Sequence, residues 1–363
     1  MRYIDEYRDA ETARLLNARL QSAAARLARP VKIMEICGGH TTALCRFGIP
    51  AALPANVRLV SGPGCPVCVT PSETIDAALW LARQPKATVF TFGDMLRVPG
   101  ATGTLADSAA RGGQVRMMYS PLQAIEFAVV HPDVPTVLLG IGFETTAPML
   151  AAAVREAARL SLPNLTFLAA GKLTPPAMRA LLDDPDNTLD GFVAPGHVTT
   201  IIGADAYRFI PLEFGKPCVV AGFELCDLLD GLAMLLEQLA DNRHEVEIQY
   251  KRSVTFAGNA HAQQMLAEVF VTADSAWRGL GMIPKSGYEL APAYARFDAR
   301  RVFPIPAMPE PADQGCRCGD VLRGRMLPAD CGLFGAACTP DHPVGPCMVS
   351  SEGSCAAHYK YRA

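Results

Sequence analysis

Val31-Lys32-Ile33-Met34-Glu35-Ile36, followed at once by Cys37-Gly38-Gly39-His40-Thr41-Thr42, is the stretch that decides how this chain is read. The first six residues are an apolar run with one acidic interruption at Glu35, the signature of a buried strand. Two adjacent glycines then let the backbone turn sharply and approach a ligand closely, with no Cβ in the way. Open α/β sheets hold their ligands at such turns, beyond the carboxyl ends of strands. A thiol and an imidazole three positions apart could face one small site there. A lone cysteine closing a strand is more often a buried, inert one. The rest of the chain argues against that here, because it keeps supplying the same kind of chemistry.

Outward from this stretch the figure recurs. Apolar runs at Val31–Ile36, Val57–Val60, Thr88–Phe92, Val115–Tyr119, Thr136–Ile141, Leu165–Ala169, Gly191–Ala194 and Cys218–Ala221 are each followed by turn residues and a helical pattern. This alternation predicts an α/β fold with largely parallel sheets. Residues 5–29 read as an amphipathic helix with Leu15, Leu16, Leu20 and Leu27 on one side, ending before Pro30. Residues 231–241 and 259–280 also read as helical. Three motif pairs run in the same order: Gly38–Ala43 with Gly142–Ala147, Gly62–Cys65 with Ala194–His197, and Phe92–Asp94 with Ala221–Glu224. They predict two similar α/β halves, about 30–130 and 131–235, facing each other across a cleft. The expected domains are 1–130 (N-terminal helix and first α/β domain), 131–235 (second α/β domain) and 236–363 (a helical segment and a small Cys-rich domain). A Pro-rich linker is expected at Pro304–Pro311.

Composition narrows the function. At 363 residues the chain exceeds one core. Half of it is apolar and 19% charged, with net charge −3 and pI near 6.2, which argues against a nucleic-acid or anionic-membrane partner. No apolar stretch approaches the ~18 residues of a membrane span. The acidic and basic start, with Asp5, Glu6, Asp9 and Glu11, shows no signal peptide, so a cytoplasmic protein is expected. Twelve cysteines are then the anomaly. In a reducing compartment they point to metal or redox use rather than to disulfide staples.

Six of the twelve fall at the end, as Cys316-x-Cys318-x12-Cys331-x6-Cys338-x8-Cys347-x7-Cys355, in a segment with no helix or strand period long enough to fold alone. Structural zinc favours paired CxxC half-sites. This irregular spacing fits an iron–sulfur cluster better, with six thiols for four places. Gly62-Pro63-Gly64-Cys65-Pro66-Val67-Cys68 is a CxxC loop that could cycle between dithiol and disulfide, or be half a metal site or inert. Gly142-Phe143-Glu144-Thr145-Thr146 reads most simply as a helix start, as do Asp94 and Glu224. His197, after Pro195-Gly196, is either a cleft ligand or acid/base group, or a loop histidine. No P-loop and no nucleophile elbow occur.

Taken together, CGGHTT (37–42), GPGCPVC (62–68), GFETTAP (142–148), PGHVTTIIG (195–203) and the tail CRCG…LRG…DCGLFG…CTP…MVSSEGSCAA resemble the HypD family of nickel–iron hydrogenase maturation proteins over nearly the whole chain. The resemblance implies two α/β domains flanking a cleft and a 4Fe-4S cluster near the C-terminus. It implies a scaffold, rather than a turnover enzyme, on which the Fe(CN)2CO unit is assembled as transient cargo. The implied partners are the small chaperone HypC, which would share the iron site and lead to the hydrogenase large subunit, and HypE, made competent by HypF, as cyanide donor. By motif, Cys37 is the implied iron thiolate, with His40 and Thr41 lining the same site. Cys65 and Cys68 are the redox pair, and His197 and Glu352 reach the cleft. Cys318, Cys331, Cys338 and Cys355 are the favoured cluster ligands, with Cys316 the nearest rival and Cys347 the sixth thiol. Two other readings stand beside this one: an iron–sulfur-dependent disulfide reductase using Cys65 and Cys68, and a zinc-stabilised interaction module.

Overall fold

Each of the eight apolar runs forms a strand: β1 (Val31–Glu35), β2 (Val57–Ser61), β3 (Thr88–Thr91), β4 (Val115–Met117), β5 (Thr136–Gly140), β6 (Leu165–Ala169), β7 (Gly191–Pro195) and β8 (Cys218–Ala221). Three further strands complete the set, β9 (Val246–Ile248), β10 (Phe270–Trp277) and β11 (Gly281–Leu290). These elements come from a computed structural model that describes residues 5–308 and 314–361, so the end of the expected linker, residues 309–311, lies outside them. No helix among the described residues is long and apolar enough to cross a membrane.

The strands make two parallel sheets, ordered β2-β1-β7-β8-β9 and β4-β3-β5-β6. Strand pairing therefore divides the chain differently from the expected 30–130 and 131–235. The first sheet takes β1 and β2, and its last three strands lie beyond residue 190. The whole second sheet, 88–169, is inserted between them. The motif Ala194–His197 ends β7 and Gly62–Cys65 follows β2, so that pair belongs to one sheet rather than relating two. Local patterning is silent on this because a parallel crossover can carry any insertion of sufficient length.

Successive side chains of β1 go to opposite faces, and both faces are buried. Val31 and Ile33 pack under the helices Ala10–Ala25 and Leu225–Ala240. Met34 and Ile36 pack with Phe192, Val220 and Met178 on the other face. Ile33 and Met34 are fully buried, each worth roughly 1.5–3 kcal/mol. The second sheet is sandwiched in the same way, by Ala147–Arg159 and Leu122–Val130 on one face and Ser72–Ala82 on the other.

The stretch read as a helix over 259–280 is helical only at Ala260–Val269 and then becomes β10, paired antiparallel with β11. The reason is legible afterwards. Phe270-Val271-Thr272 favours a strand, and Gly279 and Gly281, at φ +80° and +86°, supply the turn that reverses the chain. Residues 236–308 thus serve all three parts: β9 extends the first sheet, the helix Ala260–Val269 packs on the second, and the β10–β11 hairpin meets the tail through Trp277 and Ile283. The Cys-rich tail itself holds short helices at Cys318–Leu322, Pro346–Val349 and Ser354–Tyr361.

Candidate metal and redox site

In the first sheet the chain leaves β1 for β2 on one side and returns as β7 on the other, which makes the carboxyl end of β1 a topological switch point. Cys37 stands there. Its backbone is extended (φ −162°) and caps the helix Gly38–Arg46. The turn is held by its neighbours: Gly38 N–H donates to the Gly64 carbonyl at 3.0 Å, and Gly62 N–H to the Glu35 carbonyl at 2.7 Å. A Cβ on Gly64 would lie 2.3 Å from the Cys37 nitrogen, and one on Gly38 would lie 2.6 Å from the Glu352 Cβ. The glycines are there because three pieces of backbone touch.

Glu35 is the buried centre of this turn. It accepts the Cys37 N–H at 2.9 Å and the Thr41 hydroxyl, and burial pushes its carboxyl up to about 8. Thr41 therefore braces Glu35 from behind the turn. Burial, reinforced by Glu35 and Glu352, pushes the half-buried Cys37 thiol up to about 12, opposed by the backbone N–H groups of His40 and Gly39. A thiol shifted this way is neutral near pH 7 and would have to give up its proton to take a metal.

His40 is fully buried, and its Nε2 donates to the Ala221 carbonyl at 3.2 Å. Nδ1 is left as a bare buried acceptor with no partner, and burial lowers the imidazole to about 4. His197 stands just past β7, in the first turn of the helix Gly196–Ile202, and is exposed. The two histidines are linked by a residue that sequence reading passed over: Phe223 lies 4.6 Å from the His40 ring and stacks at 3.9 Å on His197. Glu352, also exposed, is brought in by the tail, where Thr42 donates to the Ser351 carbonyl at 3.0 Å. Cys37, His40, Thr41, His197 and Glu352 thus gather about one turn.

Phe223 also meets Tyr250 edge-on at 6.0 Å, and Tyr250 lies beneath the guanidinium of an ion pair whose carboxylate is buried. Asp227, fully buried at the start of Leu225–Ala240, takes both nitrogens of the Arg252 fork, one at 2.7 Å. That guanidinium lies 3.8 Å over Tyr7 and 4.4 Å over Tyr250. Arg252→Met should cost about 3 kcal/mol in urea unfolding, the low end for an abandoned buried charge, because Gln249 and the Glu224 N–H still reach Asp227. A loss under 1 kcal/mol would mean that water replaces the guanidinium.

Glu35 also gives a pH signature. Its folded pKa, about 8, lies above the ordinary 4.5, as does that of Glu144, raised by burial to about 7. Each favours the fold while protonated, so that stability is lost as pH rises towards the folded value. His40, lowered to about 4, acts in the opposite sense, but only below its ordinary 6.5. The metal-free, reduced chain should therefore lose stability from pH 6.5 to pH 8. Glu35→Gln should flatten that slope in urea titrations at the two pH values, and parallel curves would refute the assignment.

The second constellation lies behind the first. Cys65 caps the short helix Pro66–Val69, and its sulfur accepts the Cys68 N–H at 3.3 Å. Both thiols are buried in one cluster with Cys338, Cys347, Cys355, Phe143 and Trp277. In the tail, Cys316, Cys318, Cys331, Cys338 and Cys355 line a single small cavity walled by Val321, Leu333, Phe334 and Met348. Cys316 and Cys318 sulfurs stand 3.3 Å apart, and a Cβ at Gly345 would lie 2.4 Å from the former. Val344 N–H donates to the Cys338 sulfur at 3.4 Å. Cys347 is not among the lining residues. It is fully buried in one packed cluster with Cys318, Cys355 and Cys68, which places it on the side of the CxxC loop. Among the described residues no three His, Cys, Asp or Glu side chains converge to hold a single ion. Thiols ringing a cavity suit a multi-iron cluster, whose ligands stand apart, better than tetrahedral zinc.

Comparison with known proteins identifies the family. The HypD family model, described as the hydrogenase formation hypA family, matches residues 11–362. The hydrogenase maturation factor HypD of Azotobacter vinelandii is 48% identical over 369 residues, covering 99% of this chain and 97% of its own. That of Escherichia coli K12 is 47% identical, covering 100% and 98%. The chain belongs to the HypD family of hydrogenase maturation factors.

Proposed function

We propose that this maturation factor is the scaffold on which the Fe(CN)2CO unit of nickel–iron hydrogenase is assembled, with Cys37 as its iron thiolate. The observation that carries the reading is a single half-buried cysteine on a helix N-terminal turn at the switch point of a parallel sheet. Low-spin iron with cyanide and carbon monoxide is a soft centre that thiolate suits. Cargo that must leave is better held by one or two thiolates than by a closed cage of four. A cysteine of HypC supplies the second, and HypC carries the unit to the hydrogenase large subunit. HypE, charged by HypF, brings cyanide to the exposed side of the turn, where His197 and Glu352 stand.

The tail cavity fits a 4Fe-4S cluster held by Cys318, Cys331, Cys338 and Cys355, with Cys316 beside them. When bound, that group supplies electrons one at a time. Cys347, buried in one cluster with Cys68 and Cys318, would exchange with a Cys65–Cys68 disulfide, its thiolate bonding one sulfur and releasing the other as a thiolate. Closing Cys65 and Cys68 to a disulfide would pass two electrons and two protons to the iron unit under assembly at Cys37, one residue beyond the Gly64 carbonyl that holds that turn, and two one-electron transfers from the cluster would restore the dithiol.

The test is infrared spectroscopy of the anaerobically isolated chain with HypC bound, with iron and sulfide analysis alongside. Cyanide and carbonyl stretching bands are expected. A partner-bound, cluster-bearing preparation without them refutes the scaffold. The contact of Cys68 with Cys347 keeps one second reading in play, a cluster-dependent disulfide reductase. It requires steady disulfide turnover by the isolated chain whether or not Cys37 is present.

A further inference from the structure

The β10–β11 turn, absent from the sequence reading, delivers an arginine to the cysteine site. Gly279 sits backbone to backbone on Gly319: a Cβ at Gly279 would lie 2.6 Å from the Gly319 Cα, and one at Gly319 2.7 Å from the Gly279 carbonyl. Arg278 therefore stands beside Cys318 through two adjacent glycines. Its N–H donates to the Val69 carbonyl at 2.8 Å, next to Cys68, and its Nη2 to the Pro99 carbonyl at 2.9 Å. Nη1 is buried and has no hydrogen-bond partner.

That is an unbalanced arrangement. A guanidinium does not shed its proton in a protein, so a buried one needs an anion. The groups whose ionised forms would act on it are, in order, Cys318, Cys316, Cys347 and then Asp76. Asp76 is already committed, since its two oxygens take the Ala101 and Thr102 N–H groups and the Thr102 hydroxyl. What remains is the thiolate site.

We propose that Arg278 is the fixed counter-charge of the cysteine-rich site, where it stabilises the more negative, reduced form of the group held by the tail thiolates. The inference rests on the cluster reading above. A cluster gains one negative charge on reduction, and a neighbouring buried cation favours that state through a low-dielectric medium. Arg278 is a positioning and tuning residue, not a ligand. Because it also grips Val69, the same charge lies at the junction between tail and CxxC loop.

The test is a redox titration of the cluster, followed by electron paramagnetic resonance, in the full chain prepared anaerobically and reconstituted with iron and sulfide. Arg278→Gln and Arg278→Met should shift the reduced-to-oxidised ratio about tenfold towards oxidised, 59 mV for a one-electron couple. Arg278→Lys, which keeps the charge, should stay within about threefold of wild type. Circular dichroism checks the fold of each variant. Neutral variants within twofold of wild type, or a lysine variant shifted as far as the neutral ones, overturn the proposal and leave Arg278 a hydrogen-bonding clamp. If neither neutral variant folds, the lysine variant decides: a near-wild-type potential supports the charge and a tenfold fall overturns it. Wild-type protein carrying no iron and sulfide would refute the cluster itself, whereas a cluster whose potential ignores Arg278 refutes only this inference.

Discussion

Cys37→Ala abolishes maturation. Hydrogenase activity in cells carrying only this variant should fall to the background of a strain without the factor, and the infrared bands of the HypC-bound preparation should vanish with it. Iron and sulfide content should stay at the wild-type level, because the tail cysteines line a separate cavity. The loss should be near complete because no second side chain in the turn can stand in. Thr41 is buried against Glu35, and His40 is turned away onto the Ala221 carbonyl. Cys65 is buried in the cluster behind the turn. Stability should change little, since the thiol makes no capping hydrogen bond to its own helix. Persistent bands in this variant would move the iron to another cysteine.

Gly64→Ala should be nearly as damaging by a different route. The added Cβ would lie 2.3 Å from the Cys37 nitrogen, 2.4 Å from its Cα and 2.5 Å from the Ile36 carbonyl carbon. All three are backbone atoms, so no rotamer change relieves the clash. Either the GPGC loop or the Cys37 turn must move, at a cost of about 3 kcal/mol, the upper part of the usual range for overpacking. Gly48→Ala is the contrast. Its Cβ would meet nothing within 4 Å, and only its left-handed φ of +67° is at stake, about 1 kcal/mol. Urea unfolding separates the two. Equal losses would show that the loop yields freely and does not hold the turn. Because the displaced group is Cys37 itself, maturation should fall with Gly64→Ala and survive Gly48→Ala.

What could be read from the residues follows their physics. The apolar runs became strands because a parallel strand buried on both faces is nearly continuous in hydrophobic residues, and such a run announces itself. Phe270–Trp277 did not, because it pairs with β11 alone among the described strands and is buried only at its two ends, directly after a helical stretch. Val246–Ile248 is only half-buried, at the edge of its sheet. Phe223, Asp227 and Arg252 were invisible as site residues because each acts through a neighbour distant in the chain. The signal for Phe223 was present, an aromatic next to a glycine at a strand end, but only its stacking on His197 and His40 gives it meaning.

By itself the sequence determined the α/β class, the glycine turns at strand ends, the family and the residue types available for chemistry. Those properties are local: strand patterning, turn geometry and the donor atoms of cysteine are set within a few residues. Tertiary structure alone decided that the second sheet is inserted into the first, which puts Cys37 at a switch point between β1 and β7. It alone brought Cys347 into one buried cluster with Cys68 and Cys318, and Arg278 onto Val69 beside the CxxC pair. Such contacts join residues from a few tens to nearly three hundred positions apart, and they form because two helix-covered sheets, a hairpin and a tail too poor in regular structure to fold alone bury their apolar surfaces together.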